Sequence, residues 1–154
     1  MKRELALFLV WALLFVSCNG ELQCARFFIP AGYTGKIVVY FDKKDGQREL
    51  DKDGCIIHRF SDKGECYTAF PFEEGGFAYP HKTFRFFEVF KNDSTREMPE
   101  FDLKEYSIDI SRNMDRKYVF YYSSGYIDTT SAGPSHILAY YVDSGKNYSK
   151  YGFK

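Results

Sequence analysis

Cys55 and His58, separated by Ile56 and Ile57, have the local spacing of half a zinc site, where a thiolate and an imidazole a few residues apart supply two of four ligands. The second half is missing, because Cys66, His81 and His136 are scattered and none repeats a paired spacing. On a strand, moreover, Cys55 and His58 differ by an odd number and point to opposite faces. Hydrolytic chemistry fares no better. There is no G-x-S-x-G elbow, and Ser135 directly precedes His136, where alternation along a strand directs them apart. Cys66 meets a histidine only if the fold brings one to it. The acidic stretch "DKKDGQRELDKDG" offers Asp42, Asp45, Asp51 and Asp53 to calcium, but lysines interrupt the series and its two Asp-Gly pairs suit tight turns. The expectation is therefore no cofactor, no metal and no catalytic centre. The alternative is a secreted enzyme or redox protein that uses Cys66 or Cys55.

The fourth cysteine has a different context. Met1–Arg3 is a basic start, and "LALFLVWALLFV" from Leu5 to Val16 is an unbroken apolar run. Its length suits a secretory h-region of about 7–15 residues better than a membrane span of about 20. The residues that follow, Phe15-Val16-Ser17-Cys18, resemble the bacterial lipobox, with Phe15 in place of the usual Leu. That resemblance implies cleavage before Cys18 and lipid attachment to it, giving a signal peptide over 1–17, a tether over 18–24 and a membrane as partner. Several acyl chains make such anchoring stable where one alone is marginal. Cleavage after Gly20, releasing a soluble secreted protein, and retention of the leader as a membrane anchor are the alternatives.

Three cysteines then remain, Cys24, Cys55 and Cys66, and an odd number leaves at least one thiol free or bonded between molecules. Residues 55–60 and 65–70 flank "SDKG" and read as a hairpin. With Asp62-Lys63 as its turn, Arg59 faces Cys66, and Cys55 lies four residues further along, roughly 13 Å away. A disulfide tolerates a Cα separation of at most about 7 Å, so any intramolecular bond is expected to use Cys24. Three reduced, buried thiols are the alternative.

Phe and Tyr dominate the remainder: 19% of the chain is aromatic, and the single Trp, Trp11, lies in the leader. Tyr118, Phe120, Tyr121, Tyr122, Tyr126, Tyr140, Tyr141, Tyr148 and Tyr151 crowd the last third. Tyrosine combines an apolar face with a polar tip, so Tyr121, Tyr126, Tyr140 and Tyr141 are the candidate contact surface for an envelope protein or glycan. The plainer role for such rings is a β-sheet core. Lys+Arg and Asp+Glu balance at 21 each, which removes the electrostatic footprint that nucleic acid requires.

These residues must be carried by strands. Runs at 25–29, 36–41, 55–60, 65–70, 83–90, 105–111, 117–122 and 136–142 are short, apolar or alternating, and separated by turn residues such as "PAGYTG" at 30–35. None sustains helical spacing over helical length. The 154 residues suit one domain, 25–154, built as an all-β antiparallel sandwich of about seven to nine short strands.

The segment Phe27–Phe41, "FFIPAGYTGKIVVYF", resembles the opening of an uncharacterised family of small bacterial envelope lipoprotein domains, F-x-I-P-x-G-Y-x-G-x-V-x-V-x-F. The resemblance continues through Asp53-Gly54, Ile57, Phe60, Gly64 and Thr68, with Ser61 where that family tends to have proline. It implies an envelope β domain with no assigned activity and carries over no functional residue. The expected function is thus that of a non-catalytic cell-envelope lipoprotein with a binding or structural role. A carbohydrate-binding module is a further alternative.

Overall fold

A computed structural model describes residues 24–72, 83–101, 114–127 and 133–152. The leader, Cys18, His81 and the expected strand at 105–111 lie outside the described residues. Nine strands are present among them: β1 (Cys24–Pro30), β2 (Gly35–Tyr40), β3 (Glu49–Leu50), β4 (Ile56–Arg59), β5 (Glu65–Tyr67), β6 (Thr83–Val89), β7 (Thr95–Met98), β8 (Lys117–Ile127) and β9 (Ser135–Ser144). A 3-10 helix, Gly145–Tyr151, follows. Sheet I has the order β3-β4-β1-β6-β7 and sheet II the order β5-β2-β9-β8. The two pack face to face, an all-β sandwich as expected.

The sheets are mixed, not antiparallel. β1 runs parallel to both β4 and β6, and β2 runs parallel to β5. The cause is local. At "PAGYTG" the chain does not fold back on β1 but crosses from sheet I to sheet II, where β2 begins. It repeats this at "SDKG", leaving β4 in sheet I and starting β5 in sheet II. Stacking one arch on the other makes neighbours parallel in both sheets. The expected 55–70 hairpin is therefore an arch, and Arg59 does not pair with Cys66. Its turn is nonetheless closed, by Gly64 N donating to Ser61 O (2.9 Å) and Ser61 N to Glu65 O (2.9 Å).

Tyr33 joins the arches. Its hydroxyl donates to Lys36 O (2.6 Å) in its own arch and lies 3.3 Å from Lys63 O in the next. Val38 N donates to Gly64 O (2.8 Å) beside it.

The core lies between the inner faces. β1 alternates so that Ala25, Phe27 and Ile29 point inward. Phe27 meets Phe86 (4.6 Å between centroids), His58 (5.1 Å), Phe84 (5.5 Å) and Tyr140 (6.0 Å). Ile37, Val39, Val119, Leu138 and Val142 complete it. Each fully buried side chain of this size contributes about 1.5–3 kcal/mol.

Cys24, the first residue of β1, is bonded to Cys55 at the start of β4, with a Cα separation of 4.8 Å. The disulfide uses Cys24, as expected, although the hairpin register behind that expectation does not form, and Cys66 is a buried free thiol. Above it, Asp51 Oδ1 accepts from Asp53 N (2.8 Å) and Cys55 N (3.0 Å), and Arg26 reaches both Asp51 (2.6 Å) and Asp53 (2.7 Å). Two of the four aspartates considered for calcium are thus engaged by an arginine.

The outer face of sheet I is closed by its own side chains. Phe28 stacks on Phe87 (5.3 Å), Arg59 covers Phe28 and Arg85 covers Phe87. Each arginine is then held by two hydrogen bonds to a glutamate on an edge strand, Glu49 on β3 and Glu97 on β7. Cation-π contacts and fork-like pairs of this kind satisfy both partners.

Candidate functional site

Among the described residues, the exposed aromatic rings concentrate on β8, the last strand in the order of sheet II. Tyr121 is 45% exposed, Tyr122 52% and Tyr126 60%. A bulge between Tyr121 and Ser123 sets their directions: Tyr121 opposes Tyr140, Ser123 opposes Ala139, and Tyr122 is the extra residue. Tyr121 leans edge-on against Tyr140 (5.7 Å), whereas Tyr122 leans against Tyr141 (5.0 Å) on the other face, with Lys36 Nζ 4.8 Å from its ring. Beyond the bulge, Ser124 opposes Leu138 and Tyr126 opposes His136. Tyr121, Ser124 and Tyr126 therefore share the core-facing side of β8, with the Tyr121 and Ser124 hydroxyls 3.2 Å apart. Their exposure means that this part of the inner face extends past the cover of sheet I.

The four tyrosines expected to form one contact surface do not do so. Tyr140 is only 1% exposed, packed among Phe27 and Phe86, and burial pushes its hydroxyl to higher pKa. It is a core residue because its place on β9 falls in the inward series with Leu138 and Val142. Tyr141 lies on the opposite face, half-buried against Tyr151 (4.8 Å). Tyr121 and Tyr126 remain together and exposed.

The other C-terminal rings form a second small core on the outer face of sheet II. Phe101, Tyr118 and Phe120 are buried there, covered by Tyr148 and Tyr151 of the 3-10 helix. Asp143 clamps that helix, accepting from Asn147 Nδ2 (2.8 Å) and the Tyr151 hydroxyl (2.6 Å). Burial works against its charged form, but these hydrogen bonds prevail and hold the carboxyl below the usual range.

At the end of β8 the strip meets a mixed cluster. His136 stacks on Phe72 (4.9 Å, ring planes nearly parallel) and receives the edge of Tyr126 (5.2 Å). Asp42 Oδ2 is 3.7 Å from His136 Nδ1, and Asp42 adopts φ 58°, an uncommon conformation for a non-glycine residue. Ser135 Oγ instead donates to Phe41 O (2.9 Å). It is committed to the backbone, so Ser135 and His136 make no nucleophile and base pair.

The fold does bring a histidine to Cys66. His58 Nδ1 lies 3.9 Å from Cys66 Sγ, across the space between the sheets. Burial lowers the His58 pKa to about 4 and raises the Cys66 thiol to about 12. Burial thus works against both the imidazolium and the thiolate, the form of Cys that acts as nucleophile. Cys55 is consumed by the disulfide.

A family model described as a family of unknown function (DUF6843) matches residues 23–81. That span contains the segment on which the sequence resemblance rested, and it includes both arches. A search of curated proteins finds no match. Among solved structures, the crystal structure titled "Putative Lipoprotein from Bacillus anthracis" aligns with a TM-score of 0.54 at 14% identity, covering 79% of this chain and 70% of that one. At that identity the likeness establishes the sandwich fold.

Proposed function

We infer that this chain is a non-catalytic lipoprotein domain of the bacterial cell envelope, anchored through Cys18, which meets an envelope protein or glycan with the tyrosines left exposed on β8. The observation that carries the reading is the Cys24–Cys55 disulfide, placed six residues after the lipobox-like "FVSC". Disulfides of this kind persist outside the reducing cytoplasm, and the leader is of the type that delivers a chain there. The Bacillus anthracis neighbour, described as a lipoprotein, supports the same location. The non-catalytic part rests on the buried, high-pKa Cys66 and on the commitment of Ser135 to the backbone. A glycan is favoured as the ligand at Tyr121 and Tyr126, because two rings on one face flanking the Ser124 hydroxyl suit a sugar's apolar faces and hydroxyls.

Replacing Cys18 with Ala tests the anchor. On detergent phase separation of expressing cells, the wild-type protein is expected in the detergent phase and Cys18→Ala in the aqueous phase. Identical partitioning of the two would refute anchoring at Cys18.

A further inference from the structure

We propose that the domain stands on the membrane by the end of the sandwich at which β1 begins, and presents the arch end outward. The proposal rests on the lipid-anchor reading above. It specifies which end of the domain faces the bilayer.

Strand directions define the two ends. β1, β4 and β6 are parallel, so Cys24, Ile56 and Thr83 start at one end. Leu50 opposes Ile56 and is at that end too. The arches send β2 and β5 back toward it. Tyr40 opposes Ile137, and Tyr126 opposes His136, so the Asp42, His136, Phe72 and Tyr126 cluster lies at the same end. The opposite end holds the Pro30–Gly35 turn, Lys63 and the turn at 90–94, since Pro30 opposes Val89.

The leash is short. Cys18 and Cys24 are six residue steps apart, which spans at most about 22 Å at full extension. It cannot lengthen by fraying. Cys24 is bonded to Cys55, and β1 is the central strand of sheet I, paired on both sides. β1 itself rises roughly 20 Å over its length. With the starting end held within about one strand length of the headgroups, inversion is blocked sterically over most of the leash's range. The exposed Leu50 then lies at the end that faces the headgroup layer.

Energy transfer from tryptophan to a dansyl-labelled phospholipid tests this, since removal of the leader takes the only Trp with it. Tyr126→Trp marks the starting end and Lys91→Trp the arch end; both sites are exposed. Lipidated protein purified from membranes is reconstituted into phosphatidylcholine/phosphatidylglycerol vesicles carrying the labelled lipid. With ends offset by roughly 20 Å, the Tyr126→Trp protein is expected to transfer at least about twofold more efficiently. Equal or reversed transfer in vesicle-bound protein would overturn the orientation and leave the anchor standing. Failure of the purified protein to bind vesicles would overturn both.

Discussion

Glu88→Ala is expected to cost about 3 kcal/mol of stability, measured by urea denaturation at pH 7, because it removes the carboxylate that joins the two sheets. Glu88 on β6 is 2% exposed. Lys117 of β8 donates to its Oε1 (2.8 Å), Arg96 of β7 pairs with Oε2, and Gly32 N in the first arch is 3.4 Å from Oε1. Lys117 also donates to Tyr33 O (2.9 Å). One buried charge therefore holds both sheets and the first turn. Removing one partner of such a cluster leaves the others uncompensated, typically at a cost of about 3–5 kcal/mol. The lower end applies because Arg96 is largely exposed and recovers hydration.

The same group predicts an acid limit. Burial alone would raise the Glu88 carboxyl, but hydrogen bonds and charge from Lys117 and Arg96 outweigh it and hold the group below the ordinary carboxylate range. A folded pKa below the unfolded one means that the stabilisation is complete above the unfolded value of about 4.3. It fades as pH falls through the folded value. Wild-type stability should accordingly drop more steeply below about pH 4 than that of Glu88→Ala, and parallel pH profiles for the two proteins would contradict the assignment.

Gly64→Ala is expected to destabilise by about 2–4 kcal/mol, from positive-φ strain together with a clash and a lost hydrogen bond. Gly64 has φ 77°, and a Cβ there would sit 2.1 Å from the Tyr33 hydroxyl and 2.6 Å from Lys36 O. Neither can retreat freely, since that hydroxyl bonds Lys36 O and Val38 N bonds Gly64 O. Gly54 supplies the control. Its φ is 79°, and a methyl group there would have nothing within 4 Å, so Gly54→Ala should cost only the backbone strain, about 1–2 kcal/mol. Equal losses for the two variants, read from chemical denaturation, would mean that the arches are not locked through Tyr33.

β1 and the doubly apolar run of β2 were legible as strands because both are central and rich in buried apolar residues. The turn residues of both arches were legible as turns. What the turns connect was not, because "SDKG" closes a hairpin or an arch with the same hydrogen bonds, and only the distant partners β1 and β2 decide. β7, "TREM", has one buried residue and no pattern to read. Tyr140 and Tyr141 are adjacent on β9 and so must point to opposite faces, which already splits the expected surface; the buried run at 137–140 hides only which of the two enters the core. The bulge at Tyr122 had a faint signal, the break in alternation at Tyr121-Tyr122-Ser123. It is that extra residue which turns Tyr126 to the same side as Tyr121.

Intact mass of the mature protein extracted from membranes, with and without thiol alkylation under non-reducing conditions, reads the anchor and the disulfide together. The expected species is a chain beginning at Cys18 and carrying acyl groups, lacking two hydrogens for the Cys24–Cys55 bond, and alkylated only at Cys66 once denatured. A chain that begins after Gly20 without lipid, or one with Cys24 and Cys55 both alkylated, would contradict a disulfide-closed envelope domain held by lipid on Cys18.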